Sequence, residues 1–235
     1  MLKRCGVTEE HTESIMLEEA ELGLYEDGAQ RVLLRTDCGS IDARLHEAGE
    51  GQVGEGHVGE GRAAVVWVGG AGGGLSGPAG GLYPRLAEQL APEGVASLRL
   101  HYRRPNDLMA CVLDTLLGVG YLETLGRSRF ALVGHSFGGA VVIAAGASSG
   151  AVVGVAALSS QTYGTDAVGD LSPKALLLLH GGADEILPDS CSRSLYARAG
   201  EPREMHLYPG CRHGLDECRD EVDRDLLNWL RRVLG

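Results

Sequence analysis

Three segments of this 235-residue chain carry side chains of the types that together activate a hydroxyl group. The first is Gly134-His135-Ser136-Phe137-Gly138, a G-x-S-x-G pentapeptide. Such pentapeptides occur by chance, but here the apolar run Phe130-Ala131-Leu132-Val133 precedes it and a small-residue stretch follows. That context predicts a strand, a sharp turn and a helix, with Ser136 at the turn. Glycines two residues to either side let strand and helix pass closely without a Cβ clash. The free N–H groups of the helix start then face developing negative charge. A serine hydroxyl attacks poorly until a base takes its proton, and the base needs an acid to fix its tautomer. The second segment, Ala175-Leu-Leu-Leu-Leu-His-Gly-Gly-Ala-Asp184, places Asp184 in the loop after an apolar strand. The third, His206-Leu-Tyr-Pro-Gly-Cys-Arg-His213, does the same for His213. Ligands of open α/β sheets gather at the carboxyl ends of the strands. The chain order Ser136, Asp184, His213 is the order this kind of elbow requires.

The rest of the chain supplies elements that would bring these loops together. From residue 63 onward, short apolar runs at 63–68, 95–102, 129–134, 151–158, 175–180 and 203–208 alternate with longer mixed segments. Runs without polar alternation suit strands covered on both faces. Helices are expected at 82–91, 107–125, 136–148, 188–199 (with Pro188 at its start) and 217–234, the last with Val222, Leu226, Trp229, Leu230 and Val233 on one stripe. Strand–helix alternation predicts a parallel sheet with right-handed crossovers. Ahead of it, 31–36 and 40–46 flank Asp37-Cys38-Gly39 and predict a hairpin with one wet face. The expected fold class is therefore α/β, with a mostly parallel doubly wound sheet of about eight strands and an N-terminal antiparallel hairpin. Residues 31–235 are expected to form a single domain. Residues 1–30 read equally well as strand, helix or disorder. The five-residue repeat GEGQVGEGHVGEG at 49–61 reads as a flexible surface loop, too glycine-rich and too charged to pack.

Composition excludes several function classes. The net charge is −11, with −9 of it in the first 60 residues. That balance disfavours a nucleic-acid surface and docking on anionic lipid. No run of 18 apolar residues exists and no apolar core follows the basic N-terminus, so neither a membrane span nor a signal peptide is expected. The six cysteines, at 5, 38, 111, 191, 211 and 218, form no C-x-x-C pair and are expected to be reduced, in a cytoplasmic protein. No cofactor and no metal site is expected.

With these motifs in hand, the chain resembles the α/β-hydrolase fold family over about residues 60–235. It looks closest to the small capless branch, the dienelactone-hydrolase-like and acyl-esterase-like proteins. GHSFGG, HGGADEILP, GCRHG and the GGAGGG loop with the LYPRLAEQLA segment after it carry the resemblance. It implies Ser136 as nucleophile, Asp184 as acid and His213 as base. It also implies an oxyanion hole made by the backbone N–H of Phe137 and one from the loop after the first parallel strand, where Gly70 matches first and Ala71 next. Many relatives have His-Gly at that loop, whereas this chain has Val68-Gly69. Dienelactone hydrolases proper use a cysteine nucleophile, and dehalogenases and epoxide hydrolases of the fold use an aspartate. Ser136 counts against all three.

Neighbouring candidates have plainer readings. His135 and His180 are expected to pack, Cys211 to be an inert loop thiol, and Glu185 to stand beside the acid rather than be it. Arg103 and Arg104 face the site after a strand end, either meeting an anionic group or pairing on the surface. About 16 residues separate the strand ending near Leu158 from the next, which is too few for a cap domain. The expected function is hydrolysis of a carboxylic ester or thioester with a small or exposed acyl group, and the expected partner is that small molecule, with no nucleic acid and no membrane. A capless peptidase or amidase, a lyase or transferase using the same triad, and a non-catalytic binding protein are the alternatives.

Overall fold

The computed structural model describes residues 4–6, 14–26, 28–49 and 62–235. Residues 50–61 of the glycine/glutamate repeat lie outside them, as do residues 1–3 and 7–13. The described strands are β1 (Arg4–Gly6), β2 (Ser14–Glu26), β3 (Ala29–Thr36), β4 (Gly39–His46), β5 (Ala63–Val68), β6 (Ala96–His101), β7 (Arg129–His135), β8 (Val152–Leu158), β9 (Ala175–Gly181) and β10 (Arg203–Tyr208). They form one sheet in the order β1-β2-β3-β4-β6-β5-β7-β8-β9-β10. Strands β5 to β10 run parallel, and β1 to β4 join antiparallel, with β4 against β6. The sheet thus has ten strands where about eight were expected. The surplus comes from the N-terminus, where the ambiguous acidic stretch is strand β2, paired to β3. Only Ile15 of β2 is fully buried, and its second half is wet on both faces. A strand without a dry face leaves no period-2 signal to read.

The helices are α1 (Pro78–Leu90), α2 (Leu108–Thr124), α3 (Phe137–Ser148), α4 (Ser190–Arg198) and α5 (Arg219–Leu234). Alternation along the strands explains their placement, since successive side chains of a strand point to opposite faces. Val65 and Trp67 of β5 enter one core with Leu82 and Leu86 of α1 and Leu226, Trp229 and Leu230 of α5. Ala64, Val66 and Val68 enter the other, with Leu116 of α2, Val141 of α3 and Leu195 of α4. Both faces being covered, the strands read as unbroken apolar runs. Pro84 lies inside α1 without breaking it, because Ala79, Gly80 and Gly81 have left-handed backbone and regular helix starts only after them. Pro188 precedes α4 by two residues instead of opening it. Between β8 and β9 there is one 3-10 segment, Asp166–Leu171, and no cap. Among the described residues no helix is long and apolar enough to cross a membrane.

The expectation of six reduced cysteines is corrected. Cys211 and Cys218 form a disulfide, with Cα atoms 5.8 Å apart. The chain between them turns back through Leu215, whose φ of 60° is left-handed, and this brings the two side chains together. The C-x6-C spacing gives no warning of that turn. The reading of a reducing compartment, built on free thiols, loses its premise. Cys38, Cys111 and Cys191 are free thiols.

Candidate active site

Ser136 lies between β7 and α3 with φ 58° and ψ −118°. A non-glycine residue there costs about 1–3 kcal/mol and persists only where its surroundings over-determine it. Here they do. The Ser136 N–H donates to the Leu158 carbonyl of β8 at 2.8 Å, and the Ser136 carbonyl accepts from Gly139 N–H at 3.0 Å. A Cβ at Gly134 would run into the Gly138 carbonyl, and one at Gly138 into the Gly69 carbonyl. The elbow and the loop after β5 are thus packed backbone to backbone, which only glycine at these positions permits.

The same packing sets Gly70 beside the serine: a Cβ at Gly70 would lie 3.6 Å from the Ser136 Cβ. Phe137, the first residue of α3, is buried against Tyr102 in an edge-to-face contact. The loop that holds Gly70 is fastened by groups distant in sequence. Tyr83 Oη donates to the Val68 carbonyl at 2.8 Å and Tyr102 Oη to the Gly69 carbonyl at 3.1 Å. His101 Nδ1 accepts from Gly74 N–H at 3.0 Å, and Arg99 Nη1 donates to the Leu75 carbonyl at 3.1 Å. None of these four pins was foreseen. Arg99, His101 and Tyr102 come from β6 and its end, beside β5, and only the sheet order could have pointed to them.

Asp184 and His213 are brought into contact. His213 Nδ1–H donates to Asp184 Oδ2 at 2.8 Å, which leaves Nε2 with its lone pair as the basic nitrogen. The Asp184 side chain has no solvent exposure and that of His213 has 15%. Asp184 Oδ1 accepts from Ile186 N–H at 2.9 Å and Leu187 N–H at 2.8 Å. Burial pushes the Asp184 carboxyl up, but these donors and His213 outweigh it and hold the carboxyl below its ordinary value. Glu185 touches only the backbone, accepting from His213 N–H at 3.3 Å, so it is not the imidazole's partner. His135, just before the serine, donates from Nε2 to the His213 carbonyl at 3.0 Å, with the two rings 4.8 Å apart. Burial lowers its pKa to about 4, so it is neutral at pH 7.

His180 does more than pack. Its fully buried ring accepts from Ser192 Oγ at Nδ1 (2.7 Å) and donates from Nε2 to the Leu187 carbonyl (3.0 Å). The same Nε2 is 3.2 Å from Asp184 Oδ2. Arg103 is committed elsewhere: its side chain, 6% exposed, pairs with buried Asp114 at 2.5 Å. Arg104 is exposed and pairs with Asp107 at 3.4 Å. Arg103 is thus unavailable to a substrate anion, whereas Arg104 is held only by an exposed surface pair. Among the described residues no cluster of His, Cys, Asp or Glu could hold a metal ion.

The sheet order and the elbow can be compared with known proteins. Dienelactone hydrolase from Anabaena variabilis superposes with a TM-score of 0.72 at 16% identity, covering 88% of this chain and all of that one. The chain has the α/β-hydrolase fold. Est1E from Butyrivibrio proteoclasticus gives 0.70 at 17% identity, over 87% of this chain and 98% of its own. An α/β serine hydrolase without a lid, from Xanthomonas campestris, gives 0.69 at 16% identity, over 89% and 97%. In sequence, the uncharacterized protein YfhR of Escherichia coli is 30% identical over 102 residues, 41% of this chain and about a third of the length of YfhR. No known family profile matches the chain. The α/β-hydrolase fold thus accounts for the strand order.

Proposed function

We propose that this protein is a serine hydrolase that cleaves a carboxylic ester or thioester with a small or exposed acyl group. The observation that carries the reading is the Asp184–His213 hydrogen bond, 2.8 Å long, at the same strand ends as the strained Ser136 elbow. In this reading His213 Nε2 takes the Ser136 proton as Oγ attacks the acyl carbon. Asp184 fixes the imidazole tautomer and stabilises the imidazolium. The N–H groups of Phe137 and Gly70 receive the oxyanion, each such donor being worth about 2.7–4 kcal/mol of barrier. His213 then returns the proton to the departing alcohol or thiol. Water, activated by the same nitrogen, releases the acid from Ser136. Without a cap, water reaches the acyl-enzyme freely, which favours hydrolysis over acyl transfer. Arg103, committed to buried Asp114, supplies no charge to an anionic substrate. The esterase domain from Rhodothermus marinus and ferulic acid-binding Est1E, both of similar fold, lend support to ester cleavage.

A fluorophosphonate probe tests this directly. Wild type is expected to be labelled, Ser136→Ala not at all, and His213→Ala much more slowly. A folded wild type that takes no label would overturn the reading and favour a binding protein on the same fold.

A further inference from the structure

The segment that carries the base has little to hold it in sequence terms. Pro209-Gly210-Cys211-Arg212-His213-Gly214-Leu215 contains two glycines and no regular secondary structure. Left alone, such a stretch would sample many conformations, and a base must be placed far more closely than that. Its noncovalent ties include the bonds of the His213 backbone to His135 Nε2 and to Glu185, and the Arg212–Glu217 ion pair, which is exposed, and exposed pairs contribute little. The disulfide is different in kind. Cys211 and Cys218 are buried in the core under α1 and α5, and the ring they close contains His213. Cys211 also reaches the acid's loop: its carbonyl accepts from Ala183 N–H at 2.9 Å, one residue before Asp184. The Gly214 carbonyl, inside the ring, accepts from Ala79 N–H at 2.7 Å at the start of α1. The cross-link therefore sits where the base loop, the acid loop and two helices meet.

We propose that Cys211–Cys218 is a positioning element for His213, and that opening it makes catalysis sensitive to thiols. The inference rests on the hydrolase reading above. The cysteines touch no substrate and act only through His213 and the Asp184 loop. Opening takes two electrons and two protons from a dithiol: the Sγ–Sγ bond breaks, two cysteine thiols form, and the dithiol becomes its cyclic disulfide. With both sulfurs buried, the reaction must await local opening of the loop, so it is slow under native conditions.

The test compares oxidised wild type, wild type reduced with dithiothreitol under mild warming, and the Cys211→Ser/Cys218→Ser double variant. A short-chain neutral ester is the substrate, and circular dichroism and melting are followed in parallel. Reduced protein and double variant are expected to keep a cooperative fold at the assay temperature. Their kcat falls by about tenfold to a hundredfold, the scale of an ångström misplacement, with KM within about twofold. Fluorophosphonate labelling slows in proportion, and reoxidation restores wild type but not the variant. Unchanged kcat in the reduced protein would overturn the proposal. So would a loss that tracks unfolding, or a non-reducing peptide map without the Cys211–Cys218 link. Oxidised wild type that takes no label would instead overturn the hydrolase reading, and this inference with it.

Discussion

At Asp184 the two carboxylate oxygens have separate tasks. Oδ1 takes the N–H groups of Ile186 and Leu187, and Oδ2 faces His213. This division predicts the outcome of Asp184→Asn. The two backbone donors keep the amide oxygen on their side, so the amide NH2 must face His213. Two donors cannot share a hydrogen bond, so the imidazole moves its proton to Nε2 and can no longer accept from Ser136. The amide also meets the Nε2–H of His180, 3.2 Å from Oδ2 in the native site, which adds a second mismatch. The expected result is a kcat lower by about 10⁴ with a folded protein and little change in KM. A steady-state comparison with wild type checks it, and activity within tenfold would contradict the tautomer argument. The types and order of Ser136, Asp184 and His213 are what suggest the proposed triad in the sequence. The approach of His180 to the acid does not, because the apolar run before it marks a strand end and says nothing of where its ring points.

Between β8 and β9 the connection is fastened down rather than poised over the site. Arg198 Nη2 donates to Thr165 Oγ1 at 2.8 Å, and Lys174 Nζ donates to the Ser149 carbonyl at 2.8 Å. Beside charged residues such as Arg104 and Glu185, the loops around the site expose two large apolar side chains, Tyr163 at 78% and Ile186 at 63%. Each methylene buried against protein adds about 0.8 kcal/mol, whereas one that stays in water adds nothing. An uncapped site therefore predicts that kcat/KM rises over the first few carbons of a p-nitrophenyl ester series and then levels off. A rise that continues past about ten carbons would mean a covered acyl tunnel, since only burial rewards each added methylene. The missing cap is legible in the short spacing between two apolar runs. So are β5 to β9, whose side chains are almost all buried on both faces, whereas the edge strand β10 has Glu204 exposed and only Tyr208 fully buried. The pins on the Gly70 loop are not, because Tyr83 and Tyr102 look like ordinary core aromatics until the sheet brings their hydroxyls to the Val68 and Gly69 carbonyls. The left-handed start of α1 is likewise hidden, since glycines mark freedom to turn without naming the turn.

Across the whole molecule, a buried neutral histidine, His46, ties the antiparallel N-terminal strands to the half of the sheet that holds the site. His46 ends β4, is almost fully buried, and accepts from Arg99 Nε at 3.0 Å through Nε2. Arg99 in turn holds the Leu75 carbonyl of the Gly70 loop. Burial first, and the Arg99 charge second, lower the His46 pKa to about 4. His135, beside Ser136, is lowered to about 4 by burial. In the unfolded chain both titrate near 6.5. Above that value neither state binds the proton and the folded protein bears no penalty. Between about 6.5 and 4 the unfolded chain takes up protons that the fold refuses, so stability falls as pH falls through that window. Below about 4 the loss from these groups is complete, at up to about 3 kcal/mol for a fully buried histidine. Asp184, whose carboxyl is held low, keeps its contribution throughout the window and loses it only at more acidic pH. Urea unfolding is therefore expected to show a midpoint that is flat from pH 8 to 7 and declines steadily from pH 6.5 to 4.5. His46→Gln keeps an acceptor for Arg99 but cannot be protonated, so it should flatten that decline while changing the midpoint little at pH 8. A variant as acid-sensitive as wild type would show that the His46–Arg99 contact does not couple the fold to pH.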